Sequence, residues 1–221
     1  MFIPTATAPT QEAKVSKQID NGTYFARITQ IIDLGTQTTE WKGTVSTSRQ
    51  FRIVFETVDE LYEFSKEKGE QPYLLSKDVK YIVSKPDTAP DKVSSLTKIL
   101  RACGIDTANS VNIFTIINKI CQIETNQNDK GYATIINFTA LPKSAKSLEF
   151  PVFNDPKIFY FDNFDQTKEC FESQPSFIKD KIMASPEYKE ILEQKQNKPL
   201  PNQDFTDDLP EIDINTVNMP F

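Results

Sequence analysis

The sequence predicts a mainly β protein, and three observations carry that expectation. Short runs rich in β-branched and aromatic residues recur through the first two thirds of the chain, the clearest of them alternating with period 2. Polar turns with glycine separate several of these runs. Proline outnumbers glycine 14 to 6, which favours extended segments.

The elements follow in chain order. Residues 1–18, rich in Thr, Ala, Pro, Gln and Lys, read as a flexible arm. "GTYFARITQIIDLG", residues 22–35, is the first strand, with glycine at both ends. Tyr24, Ala26 and Ile28 share one of its faces, and Phe25, Arg27 and Thr29 the other. The doubled Ile31 and Ile32 mark the expected place of a bulge. Residues 36–48 read as a polar loop that holds the only tryptophan, Trp41, beside Lys42 and Gly43. In "RQFRIVFETV", residues 49–58, Phe51, Ile53 and Phe55 alternate with Gln50, Arg52, Val54 and Glu56, the pattern of a half-buried strand. A charged connection around "EFSKEKGEQP" leads to a third strand over residues 76–84. "SSLTKILRACG", residues 94–104, is a short helix: serine caps it, Leu96, Ile99, Leu100 and Cys103 line one face, and Gly104 stops it. Residues 114–142 read as two strands joined by the turn "NQNDKG".

Three strands, a helix and a hairpin is the order of an OB-fold, the five-stranded Greek-key barrel. An SH3-like barrel or an unrelated α+β domain fits less well, because neither expects a helix in this gap. The expected barrel spans 19–148. An extension over 149–197 follows, opening with the aromatic "EFPVFNDPKIFYFDNFD" as an added strand or a strap. Two short helices complete it, "PSFIKDKIMA" and "SPEYKEILEQ", the second capped by Ser185 with Pro186 at its first position. Residues 198–221 read as a disordered acidic tail.

Charge is distributed unevenly. The net −6 divides into −5 over residues 199–221, which hold Asp204, Asp207, Asp208, Glu211 and Asp213 and no base, and −1 over the rest. A balanced body leaves room for a basic groove on one face. The chain has no histidine, and Cys103, Cys121 and Cys170 stand at wide spacings with no CxxC pair. Zinc sites of the usual kind and Ser-His or Cys-His catalysis are thereby excluded, and the cysteines read as buried reduced thiols. No GxxxxGK[ST] loop supports work on ATP. The acids Asp162 with Asp165 and Asp207 with Asp208 read as solvated surface rather than a nuclease metal site. The expectation is a protein with no cofactor, no metal and no catalytic residue. No membrane span and no secretory signal is visible, so a cytoplasmic location is expected.

Single strands are held by cations along a groove with rings on which bases stack. Phe25, Arg27 and Arg52 on the outward strand faces, and Trp41, Lys42 and Arg49 in the loop between, are the candidates. Lys77, Lys80 and Tyr81 on the third strand, with Lys130 and Tyr132 at the final hairpin, complete the band. The tail ends in Met219, Pro220 and Phe221, which resembles the C-terminal tip of bacterial single-stranded DNA-binding proteins. Asp207, Asp208 and Asp213 supply its acidity, although "INTVN" separates the acids from the last three residues. A terminal ring and carboxylate suit an apolar pocket beside a basic group on a partner.

A second resemblance spans about residues 22–193. "ARITQIIDLGTQTTEWKG", "FRIVFE", "GYATIINFTALPK" and "FIKDKIMASPEYKE" are similar to segments of a tailed-phage family of OB-fold single-stranded DNA-binding proteins. That resemblance implies binding of single-stranded DNA without sequence preference, no enzymatic activity, and, for a phage-encoded protein, work in the bacterial host cell. Expected partners are single-stranded DNA and, through the tip, replication or recombination proteins. Strand annealing on the same fold, or a module that contacts only protein, are the alternatives. The sequence sets no oligomeric state.

Overall fold

The computed structural model describes residues 18–67 and 69–196. The chain folds as a mainly β protein with a six-stranded sheet and helices gathered toward its C-terminal part. Strands β1 (Gly22–Trp41), β2 (Thr44–Ser65) and β3 (Gly69–Lys80) run as successive antiparallel neighbours. Helix α1 (Ser95–Ala102) precedes β4 (Ile120–Gln127) and β5 (Ala133–Thr139), and the path across the sheet is β3-β2-β1-β4-β5. The short β6 (Lys157–Phe159) joins β1 in parallel. Helices α2 (Phe164–Glu172), α3 (Ser176–Ala184) and α4 (Pro186–Gln196) follow.

Several expected boundaries are corrected. Residues 36–48 are no loop: β1 and β2 stay paired from Thr36↔Arg49 to Trp41↔Thr44. Hydroxyl-bearing residues face one another along this ribbon, as in Thr39 Oγ1 with Ser46 Oγ at 3.0 Å. The tip turns on Lys42 (φ 48°) and Gly43 (φ 77°), two left-handed positions that match the twist of a tight hairpin. The charged connection after β2 is likewise a ribbon, so β3 begins at Gly69 and ends at Lys80 instead of spanning 76–84. Residues 113–116 form a 3-10 turn, and β4 starts only at Ile120.

The expected bulge at Ile31 and Ile32 is also displaced. Register breaks fall between Ile28 and Gln30 and between Asp33 and Gly35. The doubled isoleucine has another cause, because β1 is covered on both faces. Ile31 enters a core with Ile28, Ile53, Phe55, Ile99, Leu100 and Ile123. Ile32 enters a second core with Leu34, Phe159, Phe161, Phe171, Ile178 and Ile182. The C-terminal extension thus packs on the chain's own β1.

Local signals explain the helices. Ser94 caps α1 by accepting from Thr97 N at 3.2 Å, as expected, and Leu96, Ile99 and Leu100 are buried. Ser185 caps α4, accepting from Tyr188 N at 3.3 Å. Helix α2 was not expected; its Phe164 and Phe171 ring against Phe159 and Tyr188, so aromatic contact rather than a strong apolar stripe holds it.

Candidate nucleic-acid interface

At the base of the β1–β2 ribbon the chain builds a ring-lined cleft of about 420 Å³. β2 contributes Arg49 and Phe51, the end of β3 leads to Tyr81, the segment before β4 brings Asn112 and Phe114, and the segment after β6 brings Tyr160 and Asp162. Phe51 is the hub: its ring centroid lies 5.1 Å from Tyr81 and 6.2 Å from Phe114, and Phe114 lies 4.9 Å from Tyr160. Tyr81 N donates to Arg49 O at 2.9 Å, which ties the two expected residues together. Lys80 stands next to them and its Nζ reaches Ser46 Oγ at 3.4 Å.

The electrostatics of the cleft are mixed. Arg49 lies 5.9 Å from the Phe51 centroid and pairs with buried Asp33 through both carboxylate oxygens. Burial pushes the Asp33 carboxyl above its usual range, against the pull of Arg49 and the Gly35 amide. The hydrogen bond to Asp33 pushes the Arg49 guanidinium up, so it stays charged. Asp33 neutralises much of that charge and exposed Asp162 adds an acid, so the cleft offers ring faces more than a phosphate clamp. Lys80, exposed, supplies a cation beside Tyr81, whereas exposed Lys42 stands at the far tip of the ribbon. The arrangement can hold a flat aromatic group against Tyr81 and Phe114.

Other expected contact residues are placed elsewhere. Arg27 is a correction: only 6% exposed, it donates from Nη2 to Phe150 O at 3.0 Å and Pro151 O at 2.8 Å. Its Nε faces buried Glu56 Oε1 at 3.6 Å, and Asn154 donates to the other Glu56 oxygen at 2.7 Å. Phe25 packs edge-on against Phe150 at 5.5 Å. Residues 150–154 therefore strap the outward face of β1 and β2 that was expected to meet ligand. Arg52 is also engaged, forking onto Asp78 at 2.6 and 3.0 Å, with Phe177 of α3 5.4 Å away. Lys77 donates to Ile135 O at 3.1 Å and bridges β3 to β5.

Lys130 and Tyr132 are exposed but sit at the other end of β1. Gln18, just ahead of β1, accepts from the neighbouring Ala133 N there. One continuous band through all these residues is thus not formed. The Trp41 side chain and the tail residues Asp207, Asp208, Asp213, Met219, Pro220 and Phe221 lie outside what the structure describes. Phe51, Phe114 and Tyr160 were missed as site residues. Alternation assigns Phe51 to the core, and no local signal pairs Phe114 with a ring 46 positions on in the chain.

Cys103, Cys121 and Cys170 are buried free thiols. The Cys103 side chain and burial push the Cys121 thiol up, and burial does the same to Cys170. Among the described residues no cluster of three His, Cys, Asp or Glu could hold a metal, and no helix is long and apolar enough to cross a membrane. No protein-family model matches the chain, and no curated protein matches it either.

Proposed function

We propose that this is an OB-fold single-stranded DNA-binding protein, which coats strands exposed in replication, recombination or repair and recruits partner proteins through its acidic tip. The strand path β3-β2-β1-β4-β5, the helix between β3 and β4, and the Lys77 bridge from β3 to β5 support the Greek-key barrel. The observation that carries the reading is the cleft in which Tyr81, Phe51, Phe114 and Tyr160 meet beside Arg49 and Lys80. Base stacking on such rings needs no sequence preference. The resemblance to the tailed-phage family points the same way.

The acids in the cleft favour a second reading. Asp33 and Asp162 weaken attraction for phosphate, as a barrel that contacts only protein would allow. Fluorescence anisotropy of labelled oligo(dT), with the full chain and a truncation ending at Asn202, separates the two. The DNA reading expects binding that weakens with salt at a log-log slope of about −0.7 per phosphate contact and tightens without the tail. No binding by either form at low salt would leave the protein-interaction module.

A further inference from the structure

Stacking on the cleft rings accepts any base, but the polar groups among those rings do not treat the four bases alike. Asp162 stands on the cleft wall in a 3-10 turn, Phe161–Asn163. The two residues before it anchor that turn: the Tyr160 ring lies 4.9 Å from Phe114, and Phe161 is buried with its ring 5.4 Å from Phe159. Asp162 itself is exposed, and among the described residues no group donates to its carboxylate. Its two oxygens are open acceptors on a fixed element.

Arg49 supplies the opposite chemistry. Asp33 takes its Nε and Nη2, so the planar guanidinium keeps Nη1 as a donor on the far side, on a side chain 35% exposed. The hydrogen bond to Asp33 pushes the guanidinium up and the charge of Asp162 adds to that, so a fixed donor and an open carboxylate share one field.

Base edges differ in how they meet such a pair. Guanine alone presents adjacent N1–H and N2–H donors, which match the two oxygens of a carboxylate, with O6 beside them to accept from a guanidinium. Thymine sets its single N3–H between two carbonyl oxygens, which a carboxylate repels. Adenine and cytosine place a ring acceptor next to their amino donor, so the second carboxylate oxygen would meet a lone pair. The cleft, about 420 Å³, has room for a purine.

We propose that the cleft prefers guanine at one position of a bound strand, with Asp162 accepting from N1–H and N2–H, Arg49 Nη1 donating to O6, and Tyr81 and Phe114 holding the ring faces. The inference rests on the DNA reading above, and other sequences are still coated through stacking alone.

Fluorescence anisotropy of the full chain tests it, with short labelled oligo(dT) strands whose central nucleotide is dT, dA, dG or dI. Inosine keeps N1–H and O6 but lacks the 2-amino group, and dA and dI together control for the stronger stacking of purines. The dG strand is expected to bind about tenfold tighter than the dT or dA strand, with dI between. Asp162→Asn brings the dG strand to within about twofold of the others and keeps affinity for oligo(dT), which also reports that the variant is folded. Equal affinity for the dG, dA and dI strands, or a dG preference that survives Asp162→Asn, overturns the proposal and leaves the DNA reading standing. Displacement of the dG strand by micromolar dGMP gives the cleft to a free nucleotide and overturns it as well. No binding of any strand overturns both.

Discussion

Gly35 lies so close to Ser185 that a Cβ on the glycine would stand 2.6 Å from the serine Cβ. Its φ of +70° is a second obstacle to any side chain. The contact seats the start of α4 on the β1 bulge, where Glu187 accepts from Thr36 N at 2.9 Å. Gly35→Ala is expected to cost about 1–3 kcal/mol, read as a lower urea midpoint. An unchanged midpoint would mean that α4 shifts freely from β1.

Arg27 and Glu56 form an ion pair with side chains 8% and 0% exposed. Removing one partner leaves a buried charge, so Arg27→Met or Glu56→Leu alone is expected to cost about 3–5 kcal/mol. The double variant loses less than the sum, because both charges leave together. A denaturation double-mutant cycle measures this, and additive losses would contradict the pairing.

Asp78 of β3 accepts from Arg52 of β2 and, at 2.9 Å, from Lys181 of α3. Burial opposes its ionisation, but the hydrogen bonds and charges of Arg52 and Lys181 outweigh it and hold the carboxyl below its ordinary 3.8. A depressed folded value contributes stability above the unfolded value that is lost as pH falls through the folded one. The stability gap between wild type and Asp78→Asn is therefore expected to narrow below about pH 4. Melting curves from pH 6 down to 3 check it, and a gap that widens in acid reverses the sign.

Tyr81 and Tyr132 are both exposed tyrosines, at opposite ends of β1. If bases stack in the cleft, Tyr81→Ala weakens oligo(dT) binding by roughly 1–3 kcal/mol, while Tyr132→Ala leaves it within about twofold. Equal losses would restore the single band expected from sequence. A loss only at Tyr132 would move the site to the β4–β5 turn.

Legibility followed the range of each signal. The cap at Ser94, the alternation of Phe51, Ile53 and Phe55, and the turn between β4 and β5 depend on neighbours a few residues away. The first two were read correctly, and the turn was placed two residues early, since Asn126 and Gln127 still pair with β5. The ribbon at residues 36–48 was missed because polar threonines and serines pair across a hairpin as well as they solvate a loop. Arg49 and Tyr81, expected as contacts on separate elements, both line the cleft, whereas its walls Phe114 and Tyr160 come from distant segments.

By itself the sequence determined the type and order of the main elements, since propensity, capping and period act locally. It also separated the two faces of β1 into Tyr24, Ala26 and Ile28 against Phe25, Arg27 and Thr29. Only the tertiary structure decided what covers the second face. Period 2 says that Phe25 and Arg27 point away from the core that holds Tyr24, Ala26 and Ile28, and nothing in it says whether water, ligand or protein lies beyond. A strap more than a hundred residues later fills that place, because the buried Arg27–Glu56 pair needs the carbonyls of Phe150 and Pro151 and the amide of Asn154.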